Sequence, residues 1–229
     1  MGVLKLWQYM FALRLLLNTS QRQFTFRWLK SQQLNYLITQ KLPWITFGAI
    51  DYLDGLDLMA KPIFEYGSGG STLYWLKRGA KCVSIEHDIT WFNQLSVLMN
   101  TNAQIDYRLV PPTYHPENPH YDAADPDDYS SDEYAQKYER YEAYVKQIDV
   151  FADNHFYIVL IDGRSRASCI KHAAKKVQIG GFLVLDNAER AYYTEKNDQN
   201  LSQFECNSFA GAMPCNAQFS ETRIYRRNA

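Results

Sequence analysis

The first fifty residues contain no aspartate and no glutamate. Lys5, Arg14, Arg22, Arg27, Lys30 and Lys41 stand there unopposed, so a chain of net charge −1 carries −7 beyond residue 50. Overall, 24 Lys and Arg meet 25 Asp and Glu, which gives no basic excess with which to bind nucleic acid. Cysteine is scarce. Cys82, Cys169, Cys206 and Cys215 form no C-x-x-C pair, which argues against a dithiol or zinc site and for small apolar thiols in a reducing, cytoplasmic compartment. Cys206 and Cys215 could still meet across a hairpin. Long apolar runs are missing too: Lys5, Gln8 and Arg14 interrupt the most hydrophobic stretch before it reaches a membrane span. Phe11 to Leu17 is a short apolar core with an arginine in it and no small-residue cleavage pattern behind it, so a cleaved signal peptide is not expected. There is no internal repeat and no low-complexity tract. What remains, 229 residues that are 46% hydrophobic, suits one packed α/β domain.

The chain is organised around KPIFEYGSGGSTLYWLKRGAKCVSIEHD, from Lys61 to Asp88. Ile63 and Phe64 begin a strand, Gly67, Gly69 and Gly70 break it, Ser71 to Lys77 has helical character, and Cys82 to Glu86 extends again. Strand, glycine loop, helix and strand bring backbone N–H groups and a helix N-terminus to a ligand, and Glu86 at the tip of the second strand can accept from ribose hydroxyls. A pyrophosphate loop needs a third glycine where Thr72 stands, and Glu65 would repel a pyrophosphate while suiting a cationic ligand.

Further along, Thr90 to Asn100 has helical spacing with Trp91, Leu95, Leu98 and Met99 on one side, and Ala103 to Val110 reads as a strand stopped by Pro111 and Pro112. Residues 113–153 are acidic and rich in Tyr and Pro. Ser130 and Glu133 suggest a capping box before a helix with Tyr134, Tyr138, Tyr141, Val145 and Ile148 on one face. An insertion there lies on the rim of the glycine loop and reads as a lid over an acceptor, with a solvated connection as the alternative; His115 and His120 belong to it. Phe156 to Ile161 is a continuous apolar run, as a buried central strand should be. A helix over Ser168 to Gln178 follows, then a turn at Gly180 and Gly181 into a strand over Phe182 to Leu185, and finally two extended segments joined near Gly211 and Pro214.

The set Glu65, Gly67, Gly69, Gly70 and Ser71, with Glu86 downstream, resembles the first motif, E/D-x-G-x-G, and second-strand acid of the class I S-adenosylmethionine-dependent methyltransferases. The resemblance implies an α/β, Rossmann-like, doubly wound sheet of seven mostly parallel strands with an antiparallel last strand. It implies S-adenosylmethionine as cofactor, held by Glu65, Gly67, Ser68, Gly69, Gly70, Ser71, Glu86, His87 and Asp162, and a small-molecule acceptor. The chain then divides into a helical N-terminal extension, 1–57, and a methyltransferase-like domain, 58–229, with 113–153 as its lid.

Asp162, Asp186 and Asn187 fall at the tips of neighbouring strands, and two carboxylates with an amide oxygen suit a hard divalent cation such as Mg2+. This looks like the metal-dependent O-methyltransferases, so Asp162, Asp186 and Asn187 are candidate metal ligands, with Asp162 and Arg164 as candidate catalytic residues; the alternative is that both acids are rim and capping residues. Where the catechol-type enzymes of that group carry a basic lysine, this chain has Ser165 between Arg164 and Arg166, and an arginine keeps its proton. Metal activation alone, a base elsewhere, or an anionic acceptor bound by the arginines would each accommodate that change. The rival functions are a nicotinamide-dependent oxidoreductase and an inactive scaffold. The basic N-terminal helices are expected to pack on the domain or a second copy of the chain, or to make peripheral contact with an anionic membrane.

Overall fold

The computed structural model describes residues 3–99, 103–117, 121–131 and 138–228. Four helices come first: α1 (Val3–Asn18), α2 (Thr25–Ser31), α3 (Tyr36–Gln40) and α4 (Phe47–Asp54). Then β1 (Pro62–Tyr66), α5 (Gly70–Lys77), β2 (Lys81–Glu86), α6 (Ile89–Met99) and β3 (Ile105–Leu109) alternate. The acidic region contributes β4 (Thr113–Tyr114), β5 (Glu139–Arg140) and α7 (Glu142–Val145). The chain continues with β6 (Phe156–Ile161), α8 (Arg166–Ala173), β7 (Val177–Leu185), α9 (Asp198–Leu201), β8 (Phe204–Gly211) and β9 (Ser220–Arg227).

Seven strands form one sheet in the order β3-β2-β1-β6-β7-β9-β8. Neighbours from β3 to β7 are parallel, while β9 runs antiparallel to both β7 and β8. This is the expected doubly wound sheet, with β9 inserted between β7 and β8. Strand alternation divides the core in two. Ile63, Ile158, Leu160, Phe182 and Val184 face one layer with Trp75 of α5; Phe64, Tyr66, Val159, Ile161, Leu183 and Leu185 face the other with Cys169 and Ile170 of α8. Both sides are covered, which is why β6 reads as an unbroken apolar run.

Several expectations need correction. The division at residue 57 does not separate two cores: Ala12, Leu16, Phe24, Trp28, Phe47 and Ile50 are buried in the same cluster as Ile63 and Val184. The end of the 113–153 stretch, expected as part of a lid, belongs to the core. Tyr141, Tyr144, Val145 and Ile148 are fully buried against Phe64, Ile161 and Ile170, so the expected apolar stripe is spent on the core beside α8. Among the described residues of this region the α-helix is Glu142–Val145, after β5; Glu133, Tyr134 and His120 lie outside the described residues, and His115 is half-buried beside Thr113 and Glu117. Gly180 and Gly181 lie within β7, where the pairing with β6 shifts register between Phe156 and Ile158. Leu98 is exposed because α6 turns only Leu95 and Met99 inward. Cys206 and Cys215 are both free thiols: Cys206 is exposed on β8, and Cys215 donates from Sγ to the Ser31 carbonyl at 3.1 Å.

Candidate functional site

Strand order reverses about β1, so a crevice opens where the carboxyl ends of β1 and β6 part. Gly67 turns the chain there with φ +89; a Cβ on it would lie 2.8 Å from the Asp162 carbonyl. Its N–H donates to Ile85 O at 2.9 Å, and Asp162 N–H donates to Tyr66 O at 3.0 Å, which stitches the loop to the strands on both sides. Gly70 opens α5 beneath the N-terminal segment, where a Cβ would lie only 2.1 Å from Leu42 O.

A cavity of about 980 Å3 occupies the crevice. Its floor contains Gly67 to Ser71, Glu86, His87, Asp162, Arg164, Asp186 and Asn187, so the structure brings together every candidate site residue except Glu65. Its walls were not foreseen. Tyr9, residues 31–38 and Trp44 form one, and Met213, Cys215, Asn216 and residues 218–220 another. The walls are tied to each other: Trp28 Nε1 donates to Asn216 O at 2.7 Å, Trp44 Nε1 to Pro214 O at 2.8 Å, and Cys215 N to Ser31 Oγ at 2.9 Å. Trp91 donates from Nε1 to Ser68 O at the cavity edge.

Glu65 lies under the loop, fully buried. Its carboxylate accepts from Thr72 Oγ1 at 2.5 Å, Ser84 Oγ at 2.7 Å and Trp75 Nε1 at 3.1 Å. Burial pushes its pKa up, against the pull of those donors and Ser71. Thr72 Oγ1 also accepts from Gly69 N, so Glu65 braces the loop from below.

Glu86 is 3% exposed and saturated. Oε2 accepts from Ser68 N at 3.1 Å and Ser68 Oγ at 2.7 Å; Oε1 accepts from His87 N at 2.8 Å, Asp88 N at 2.9 Å and faces His87 Nδ1 at 2.9 Å. Burial alone would raise its pKa, but hydrogen bonds from His87, the Asp88 amide and Ser68 outweigh that and hold it at about 2. The other side of the imidazole, Nε2, accepts from Arg164 Nε at 3.2 Å.

Asp162, Asp186 and Asn187 do converge, but an oxygen of each carboxylate already has a protein partner. Arg166 reaches between the two strand tips: its guanidinium donates to Asp162 Oδ1 at 3.2 Å, to the Gly163 carbonyl at 3.0 Å and to the Asp186 carbonyl. Asp186 Oδ1 accepts from Thr222 Oγ1 at 2.7 Å. Asn187 donates to Ser220 Oγ at 3.0 Å. Burial, followed by the neighbouring Asp186 charge, lifts Asp162 far above the usual carboxylate range; burial lifts Asp186 to about 6. A guanidinium thus supplies the positive charge that an ion was expected to bring, and no group of three or more His, Cys, Asp or Glu among the described residues is placed to hold a metal. With Arg166 at both strand tips, nothing here supports the expected Mg2+ at Asp162, Asp186 and Asn187. Ser165, where a basic lysine was sought, bonds Ser168 Oγ at 3.1 Å and is buried outside the cavity lining.

Neither a protein-family model nor a curated protein matches the sequence. Solved structures do. An O-methyltransferase from Bacillus cereus in complex with SAH superposes with a TM-score of 0.53 at 14% identity, over 96% of this chain and 96% of that one. The fold is that of the class I methyltransferases. A cofactor-bound protein from MTB matches this methyltransferase fold with a TM-score of 0.50 at 13% identity, over 99% of this chain and 90% of that one. Within the methyltransferase fold, the strand order and the single antiparallel strand, β9, are accounted for.

Proposed function

We propose that the protein is an S-adenosylmethionine-dependent methyltransferase acting on an oxygen of a small anionic acceptor. The observation that carries this reading is the glycine loop at the reversal point of the sheet, opening with Glu86 onto one large cavity. The cavity of about 980 Å3 is roomy enough for a nucleoside ligand together with an acceptor. The B. cereus O-methyltransferase with SAH supports the choice of cofactor and of oxygen as the accepting atom.

The residues present fit such a cofactor. Gly67 to Ser71 would hold it, and Glu86 would take its ribose. When bound, it supplies an electrophilic methyl group on a sulfonium. Ser68 Oγ stands where a ribose hydroxyl would meet Glu86 Oε2, so the serine hydroxyl has to rotate aside on binding. Arg164 and Arg190 line the same cavity and suit a carboxylate, phosphate or acidic phenol. An acceptor ionised beforehand needs no base, which answers the serine at position 165. Residues 31–38 on one side and Met213, Cys215, Asn216 and 218–220 on the other line the cavity and would orient the acceptor oxygen for attack. The four free thiols agree with a reducing, cytoplasmic setting.

Calorimetric titration with S-adenosylmethionine and SAH tests the reading, with a nicotinamide dinucleotide as control. Binding of the first two and not the third is expected. Binding of neither returns the protein to the scaffold reading.

A further inference from the structure

Helix α1 carries apolar side chains on both of its sides. Ala12 and Leu16 are fully buried in the core. On the opposite side Trp7, Met10, Phe11 and Leu17 are 66%, 56%, 62% and 58% exposed. At about 100° per residue these four, together with the exposed Arg14, share an arc of about 120°. A surface helix normally turns charge to water; this one turns out a tryptophan, a phenylalanine, a methionine and a leucine. Phe26 and Leu29 of α2 are exposed as well.

The charge says what covers this face. Six basic residues and no acid occupy the first fifty positions; Arg27 pairs with Asp51, and Arg14 lies inside the apolar arc. A second copy docked through the same face about a two-fold axis would set Arg14 near Arg14 and a wholly basic segment against itself. An anionic lipid surface is complementary on both counts: cations meet headgroups while aromatic and aliphatic side chains enter the acyl boundary. The −7 carried beyond residue 50 repels the same surface, which favours approach by the N-terminal face. Among the described residues no helix is long and apolar enough to cross a membrane, so the contact lies on the bilayer. We propose that the outward face of α1, with Phe26 and Leu29, docks the protein on an anionic bilayer. Leu34 and Trp44, from the same acid-free segment, line the cavity, so the part of the chain that meets lipid also builds the wall of the site.

The test is flotation of the full chain with vesicles of phosphatidylcholine alone and with vesicles one third phosphatidylglycerol, at low and high salt. Phe11→Asp and Arg14→Glu, both at exposed positions, accompany the wild type, with circular dichroism and SAH affinity confirming that the fold and cavity are intact. Expected is salt-sensitive partition onto the anionic vesicles only, lowered at least tenfold in each variant. No partition of the wild type, or equal partition of wild type and variants, overturns the proposal. So does a micromolar dimer that Phe11→Asp converts to monomer in sedimentation, because the face would then belong to a second copy. A failure of SAH binding leaves the vesicle result standing, since the two readings rest on different residues.

Discussion

Glu86 shows how much one side chain can be asked to do. Its pKa is held at about 2 in the fold against 4.5 as the ordinary value, so its ionised form contributes stability of about 3 kcal/mol. A depressed acid contributes in full above the ordinary value and loses that contribution as pH falls towards 2. Denaturation of wild type and Glu86→Gln should therefore differ most above pH 4.5 and converge in acid. The carboxylate also predicts ligand behaviour. Glu86→Ala should weaken SAH at least tenfold by calorimetry, whereas Ser68→Ala, which removes a competing bond of about 1 kcal/mol, should tighten it by up to about fivefold. Arg164→Ala should raise KM for an anionic acceptor by roughly ten- to a hundredfold and leave SAH affinity near wild type, as expected for a charged hydrogen bond of about 1.5–3 kcal/mol. The spacing from glycine loop to Glu86 was legible in the sequence; its occupation by Ser68 was not, because a side chain's rotamer follows from packing. Glu65 was misplaced for a similar reason. Its distance from Gly67 suggests a ligand contact, but strand alternation puts it on the Ile63 face, under α5 and against Trp75.

At the scale of elements, the strands were readable because burial on both faces leaves an apolar run that few other elements produce. The cavity walls were not, since their bonds join residues more than 160 positions apart, such as Trp28 to Asn216 and Trp44 to Pro214. Nothing local in residues 31–38 announces a wall. The 113–153 region differed in the opposite way: its position in the topology pointed to the rim, while Tyr141 and Tyr144 serve the core. Arg166, which with Arg164 was one alternative for binding an anionic acceptor, lines the cavity and bridges the carboxyl ends of β6 and β7. The contact between wall and loop is tight enough to test. Gly70→Ala brings a Cβ against the Leu42 carbonyl, and the backbone of the wall has to shift. A destabilisation of about 1–3 kcal/mol is expected from overpacking, with weaker SAH binding in the folded fraction, read by urea unfolding and calorimetry. Unchanged values would mean that the wall does not rest on α5.

Taken whole, the molecule has no detachable N-terminal part. Removing residues 1–42 takes Leu16, Phe24 and Trp28 out of the shared core, and losing one large buried aromatic side chain alone costs about 3–5 kcal/mol. Against a total stability of roughly 5–15 kcal/mol, the shortened chain should show no cooperative thermal unfolding by calorimetry. Lipid docking is for that reason better probed by single exposed substitutions than by deletion. The stitching of early to late segments also sets an order of events at the ribosome. Strands β1, β2, β3 and β6 can emerge and pair before the end of translation, carrying a formed glycine loop. Phe47 N–H must still wait for the Ala212 carbonyl, and Trp28 for that of Asn216. Until those residues leave the exit tunnel the nascent chain has a loop with one wall missing, and the site comes into being only with the closing hairpin.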